Sequence, residues 1–235
     1  MKWNEVIYAD CMNMENGLPT LEDKSIDLGF TDPPWLIDYS KNKNKDRKYV
    51  NGRILKSMEG RIHYKDNQDL NWNLTWFNEL ERICKGIIIV MAQSQLSWWF
   101  RNTDVRGLMI LYFKNGTSQS KISKWSRFSP YLFYGDLFRT NKIFSNVIEY
   151  VIPWGFLSKE KYIHTTPKGT EIALQLLKDI KPESIIDPFA GSGSYLKAAD
   201  ILGIPWIGYE LNEVYSQDIN KRFGQIELNK WVDKL

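Results

Sequence analysis

Asp32-Pro33-Pro34-Trp35 places a carboxylate, two rigid prolines and a flat indole in four consecutive positions. Proline fixes φ and removes a donor, so the Asp32 carboxylate and Pro33 carbonyl become fixed acceptors beside an aromatic face. Such a set can clamp an exocyclic amine on a planar base. The acceptors take its N–H groups, and Trp35 can stack on the ring. An ordinary turn closing a strand would use the same four letters.

Asp187-Pro188-Phe189-Ala190-Gly191-Ser192-Gly193-Ser194 is the second constellation. Glycines let a backbone approach a ligand closely, and a helix N-terminus behind them offers unpaired N–H groups. The apolar run Trp206–Tyr209 ends in Glu210, near the ~20-residue spacing at which an acid can accept ribose hydroxyls. Strand, glycine loop, helix, strand and acid together suit an adenosine-bearing ligand. Leu196 occupies the position where a dinucleotide fingerprint needs its third glycine. Asp187 would repel a pyrophosphate and suits a cationic ligand, such as the ammonium and sulfonium of S-adenosyl-L-methionine. It could also serve only as a turn former before Pro188.

The elements that must position these residues alternate between short apolar runs and helical patterns, the rhythm of an α/β fold. Strands are expected at 5–8, 25–30, 87–90, 108–113, 130–134, 146–152, 184–186 and 206–209. Helices are expected to 84 with Asn73 as cap, and at 95–102, 171–180 and 195–202. Asn212 should cap a last one. Gly86 is expected to break the first helix before its strand. The architecture expected is a Rossmann-like sheet with helices on both faces, in one domain over 1–235. A basic loop at about 40–66 and an insertion at about 114–160 complete it.

The 235 residues carry 31 Lys+Arg against 28 Asp+Glu, a formal charge of +3 that announces no partner by itself. Its distribution says more. Lys41, Lys43, Lys45, Arg47, Lys48 and Arg53 crowd one unpatterned stretch, either a solvated loop or a grip for phosphates. No apolar run reaches the ~18 residues of a membrane span, and Glu5 interrupts the start where an export signal would be apolar. Cys11 and Cys84 are too few for a disulfide framework, and with two histidines no zinc spacing exists. A cytoplasmic setting is expected, with no metal and no membrane partner.

Together these motifs resemble the DNA amino-methyltransferases, which methylate adenine at N6 or cytosine at N4, over nearly the whole chain. Asp32-Pro33-Pro34-Trp35 matches that family's D/N/S-P-P-Y/F/W motif, and Asp187 to Gly193 matches its D-P-F-x-G-S-G motif. The catalytic motif comes first, as in the permuted β subgroup. Tyr8-Ala9-Asp10-Cys11 is similar to that subgroup's opening G-D-C, with Ala9 for the usual glycine. His164 to Gly169 is similar to its H-P-T-x-K-P segment, although both prolines are displaced or missing. Gly208-Tyr209-Glu210-Leu211-Asn212 matches G-x-E-x-N, and Ser194 stands where threonine is commoner.

The resemblance implies S-adenosyl-L-methionine as cofactor, held by Asp10, Cys11, Asp32, Thr166, Lys168, Asp187, Phe189, Gly191, Gly193, Ser194, Glu210 and Leu211. It implies Asp32, Pro33, Pro34 and Trp35 as the catalytic set, and double-stranded DNA as substrate. The loop from Lys41 to Arg53 would contact that DNA, and the target base would be flipped out of the stack. Aspartate before the prolines is the adenine enzymes' usual letter, and serine the cytosine enzymes'. Neither cysteine follows a proline, which argues against the covalent chemistry used at carbon-5 of cytosine. Cytosine-N4 transfer, RNA methylation and an inactive cofactor- and DNA-binding module are the alternatives. A homodimer and a cognate restriction endonuclease stay open as partners.

Overall fold

The computed structural model describes residues 2–35, 49–50, 53–54, 69–115, 127–136, 145–151 and 169–224. The strands are β1 (Glu5–Ile7), β2 (Ile26–Thr31), the two-residue β3 (Tyr49–Val50) and β4 (Arg53–Ile54), and β5 (Cys84–Val90). They continue as β6 (Gly107–Phe113), β7 (Phe128–Gly135), β8 (Val147–Tyr150), β9 (Ile185–Asp187) and β10 (Trp206–Tyr209). The helices are α1 (Trp72–Ile83), α2 (Leu96–Asn102), α3 (Glu171–Ile180), α4 (Ser194–Ile201) and α5 (Ser216–Gly224).

Eight strands form one sheet in the order β1-β10-β9-β2-β5-β7-β6-β8. The first five run parallel, β7 is antiparallel to both its neighbours, and β8 lies parallel to β6 at the edge. β3 and β4 pair separately as a short antiparallel hairpin. The inner parallel strands are buried on both faces, so β5 ends in the apolar run 87–90, whose residues alternate between two cores. Ile87, Ile89 and Met91 face the core with α1, while Ile88 and Val90 face the one with α3 and α4. Two glycines sit where a helix leans in. Gly29 lies against Leu80 of α1, and Gly208 lies against Leu196 of α4.

Two features at α1 depart from the sequence expectation. The helix begins at Trp72, and Asn73 is buried inside it, its side-chain oxygen accepting from the Trp76 indole at 3.2 Å. Its C-terminus has no glycine break: the chain enters β5 at Cys84, and Gly86 is a paired strand residue. The Lys24 ammonium supplies what a glycine cap would have, donating to the carbonyls of Glu81 (2.7 Å) and Cys84 (2.8 Å). Asn212 does cap, though what it caps is the 3₁₀ turn Glu213–Tyr215 that leads into α5, its side chain accepting from Val214 N at 3.2 Å.

β2 leads through α1 to β5 on one side, whereas β9 leads through α4 to β10 on the other. The chain therefore departs in opposite directions, over opposite faces, from the adjacent strands β2 and β9. Beyond the carboxyl ends of such a pair a ligand crevice is expected.

Candidate active site

Four adjacent parallel strands each run out into an acid at this edge of the sheet. Asp10 follows β1, Glu210 follows β10, Asp187 ends β9 and Asp32 follows β2. The order places Asp187 between Glu210 and Asp32, although the three are far apart in sequence.

Asp187 is the most enclosed, at 1% exposure. Its Oδ1 accepts from Thr31 Oγ1 at 2.7 Å and from Phe189 N at 3.0 Å. The second bond is the turn-forming role and the first ties β9 to β2, so the residue does more than shape a turn. Burial pushes its pKa up to about 7, and the charges of Asp32 and Glu210 push the same way, against the two hydrogen bonds.

Glu210 is also buried, and both its oxygens hold backbone. Oε2 accepts from Gly191 N at 2.8 Å and Oε1 from Asn212 N at 2.9 Å. Burial raises its pKa, and those two bonds oppose the rise. The glycine loop is thereby fixed from the next strand, with Ala190 N also donating to Tyr209 O at 2.8 Å. Gly191 (φ 51°) and Gly193 (φ 74°) occupy left-handed backbone that side chains disfavour, and Gly193 caps α4.

Arg222 of α5 reaches under this loop. Its Nε donates to Ser192 O at 2.7 Å, Nη2 to Ser192 Oγ at 3.1 Å, and Nη1 to Thr170 Oγ1 at 3.0 Å. Ser194 begins α4, and Phe189 packs edge-on against Trp72 (5.9 Å) and Trp76 (5.1 Å) while keeping part of its surface exposed.

Asp32 is partly exposed and Pro33 is buried. The Trp35 indole donates to Asp32 Oδ1 at 2.9 Å, so the tryptophan tethers the carboxylate besides offering its ring. The Trp35 carbonyl in turn accepts from Gln95 Nε2 at 3.0 Å. Neither Gln95 nor Thr31, Arg222 or Tyr195 stands out in the sequence, because each acts through a partner distant along the chain.

Asp10 Oδ1 accepts from Met12 N at 2.9 Å, holding the loop after β1. The Cys11 side chain is instead buried in the core with α1, its thiol pushed up to about 12 by burial and by Asp10. Leu211 is exposed beside Glu210. Thr166, Lys168, Lys41, Lys43, Lys45, Arg47 and Lys48 lie outside the described residues, and Arg53 is described only as part of β4.

The arrangement can be tested against a cationic ligand. Burial, Asp32 and Glu210 each raise the cost of ionising Asp187, the middle carboxyl, and among the described residues no cation is named as acting on it. A positive ligand would relieve that cost. Among the described residues no three His, Cys, Asp or Glu side chains are grouped to hold a metal ion. Placed on adjacent strand ends, with Asp187 costly to ionise alone, the acids suit an extended organic cation, and a sulfonium joined to a ribose and an amino acid fits them.

A DNA methylase family profile matches residues 92–221, more than half of the chain. The protein belongs to that family, the N6/N4 DNA methyltransferases that use S-adenosyl-L-methionine. Similar solved structures bear out the fold. That of M1.HpyAVI with S-adenosylmethionine is 16% identical at a TM-score of 0.60, covering 94% of this chain and 99% of that one. The cytosine-N4-specific PvuII DNA methyltransferase is 12% identical at 0.63, covering 99% and 91%. A protein of Thermus thermophilus assigned as a DNA modification methylase, complexed with S-adenosyl-L-methionine, is 15% identical at 0.56, covering 94% and 93%. No curated protein matches the chain. Among the described residues no helix is long and apolar enough to cross a membrane.

Proposed function

We propose that this methyltransferase acts on the exocyclic N6 of adenine in duplex DNA, with Asp32, Pro33, Pro34 and Trp35 as its catalytic set. The observation that carries the reading is Asp32 itself: an ionisable acceptor ahead of two prolines, on the strand next to the one bearing Asp187. The N6 lone pair is delocalised into the ring, so the amine is a poor nucleophile. Two acceptors, the Asp32 carboxylate and the Pro33 carbonyl, draw its N–H groups aside and turn the lone pair outward. When bound, the cofactor supplies a sulfonium methyl that is already electrophilic. As that methyl is taken up by the nitrogen, the Asp32 carboxylate would receive the displaced N–H proton, and the Pro33 carbonyl would keep the other N–H aside. Positioning then supplies most of the acceleration.

Asp187 would face the cationic end of the cofactor and Glu210 its ribose, with Asp10, Phe189 and Leu211 around the adenine. Thr166 and Lys168 would close the methionine end. Lys41, Lys43, Lys45, Arg47, Lys48 and Arg53 would grip phosphates. Cytosine N4 is the second reading, since its amine has the same chemistry and PvuII methyltransferase shares the fold. Transfer of labelled methyl to duplex DNA, followed by nucleoside analysis, tests both. N6-methyladenine is expected; N4-methylcytosine would overturn the adenine reading, and no label in DNA would overturn activity altogether.

A further inference from the structure

Tyr195 is the second residue of α4, directly behind the glycine loop. Its ring stacks on Phe30 of β2, the centroids 4.2 Å apart and the planes 9° from parallel. Phe30 also meets the edge of Tyr131 of β7 at 6.5 Å. Two tyrosines thus pack around the residue that stands two positions before Asp32. The Tyr195 hydroxyl is buried and has no hydrogen-bond partner among the described residues. Phenylalanine would fill the same space without burying a polar atom that is unpaired among the described residues.

Its surroundings show what it could serve. Burial holds the hydroxyl far above its ordinary pKa, and Asp32 is the foremost charge acting on it, ahead of Tyr131 and Asp187. The group therefore stays protonated as a donor facing an anionic neighbourhood. Asp32 has its Oδ1 engaged by Trp35. An amine arriving at this carboxylate needs acceptor capacity in a defined direction. A donor from the α4 side of the carboxylate would help fix its rotation while the amine is held.

We propose that Tyr195 is a positioning residue for methyl transfer, its buried hydroxyl donating to the Asp32 carboxylate when the target amine is bound. This rests on the reading of Asp32 as the amine's acceptor. An acceptor presented during methyl transfer would account for a polar atom kept where a ring alone would pack.

Tyr195→Phe deletes one oxygen and keeps the ring stack. Its kcat is expected to fall about tenfold, the loss of one hydrogen bond to a charged group. The KM values for cofactor and DNA should change little, and the melting temperature of the free protein should hold or rise. Asp32→Ala, measured alongside, should abolish turnover. An unchanged kcat in Tyr195→Phe beside an inactive Asp32→Ala overturns the role of Tyr195 alone. A fully active Asp32→Ala overturns both readings. A lower melting temperature with raised KM would reduce Tyr195 to core packing and also overturn the proposal.

Discussion

Thr31 Oγ1 donates a 2.7 Å hydrogen bond to Asp187 Oδ1, joining the last residue of one central strand to the last residue of its neighbour. Both residues are buried, and each stands at the head of a motif. The bond therefore ties the Asp32-Pro33-Pro34-Trp35 segment to the glycine loop, the two parts that methyl transfer must align if they are the proposed amine clamp and cofactor site.

Thr31→Val keeps the shape and removes the hydroxyl. Asp187 then loses one of two bonds that favour its ionised form, so its pKa should rise further. Cofactor affinity near neutral pH should drop about tenfold, as for a hydrogen bond to a charged group. Calorimetric titration of the variant and the parent measures it. The gap should narrow at alkaline pH, where the carboxyl ionises in both proteins; a gap that stays constant would show that the bond acts by geometry alone.

Asp187 gives the pH dependence its sign. Its folded pKa, about 7, lies above the ordinary carboxylate range, chiefly through burial. The fold thus favours the protonated acid, and that contribution is lost as pH rises through about 7. A cationic cofactor favours the ionised acid. Its affinity should increase from about pH 6 to about pH 8, and the melting-temperature gain on binding should grow over the same interval. A binding constant flat across that window would show that Asp187 does not meet the positive charge.

Much of this site is legible in the residue types, and the reason is local. Gly191 and Gly193 mark left-handed backbone, the β-branched run before Gly191 marks a buried strand, and Asp32 and Glu210 close strands of their own. What joins them is not local. Nothing around Thr31 says that β9 lies beside β2, or that Tyr195 stacks on Phe30. Asn73 shows the converse error. It reads as a helix cap, but tertiary packing buries it within α1 beside Trp76, and Lys24 from another segment closes that helix.

Glu210→Ala should weaken the cofactor rather than the chemistry. The two ribose contacts proposed for this residue are worth about 1.5–3 kcal/mol each. The carboxylate also holds Gly191 N and Asn212 N, so the loop should loosen and the melting temperature fall. Saturating cofactor should restore most of kcat. A rate that stays low at saturation would assign Glu210 to the transfer step.

Arg222→Met should destabilise the protein by about 3 kcal/mol, because the Ser192 carbonyl and two hydroxyls lose a buried charged donor. Lysine should recover only part, since one ammonium cannot span Ser192 and Thr170 as the guanidinium fork does. Denaturant unfolding of the three proteins gives the order Arg above Lys above Met. If lysine matched arginine, charge rather than the fork would be what holds the loop.

The basic stretch after Trp35 holds Lys41, Lys43, Lys45, Arg47 and Lys48, the proposed grip on the DNA backbone. Long, flexible lysines suit phosphates better than base edges, and phosphate contacts release counterions. Each contact removed should lower the slope of log K against log salt by about 0.9. Replacing Lys43, Lys45 and Lys48 with glutamine should therefore weaken binding to every duplex alike and flatten its salt dependence. Preference for the methylated site should survive, because these residues position the duplex without reading it. Affinities for a methylatable and a scrambled duplex across a salt series check both halves. An unchanged slope would mean the lysines are merely solvated, and a loss confined to the methylatable duplex would mean they read bases.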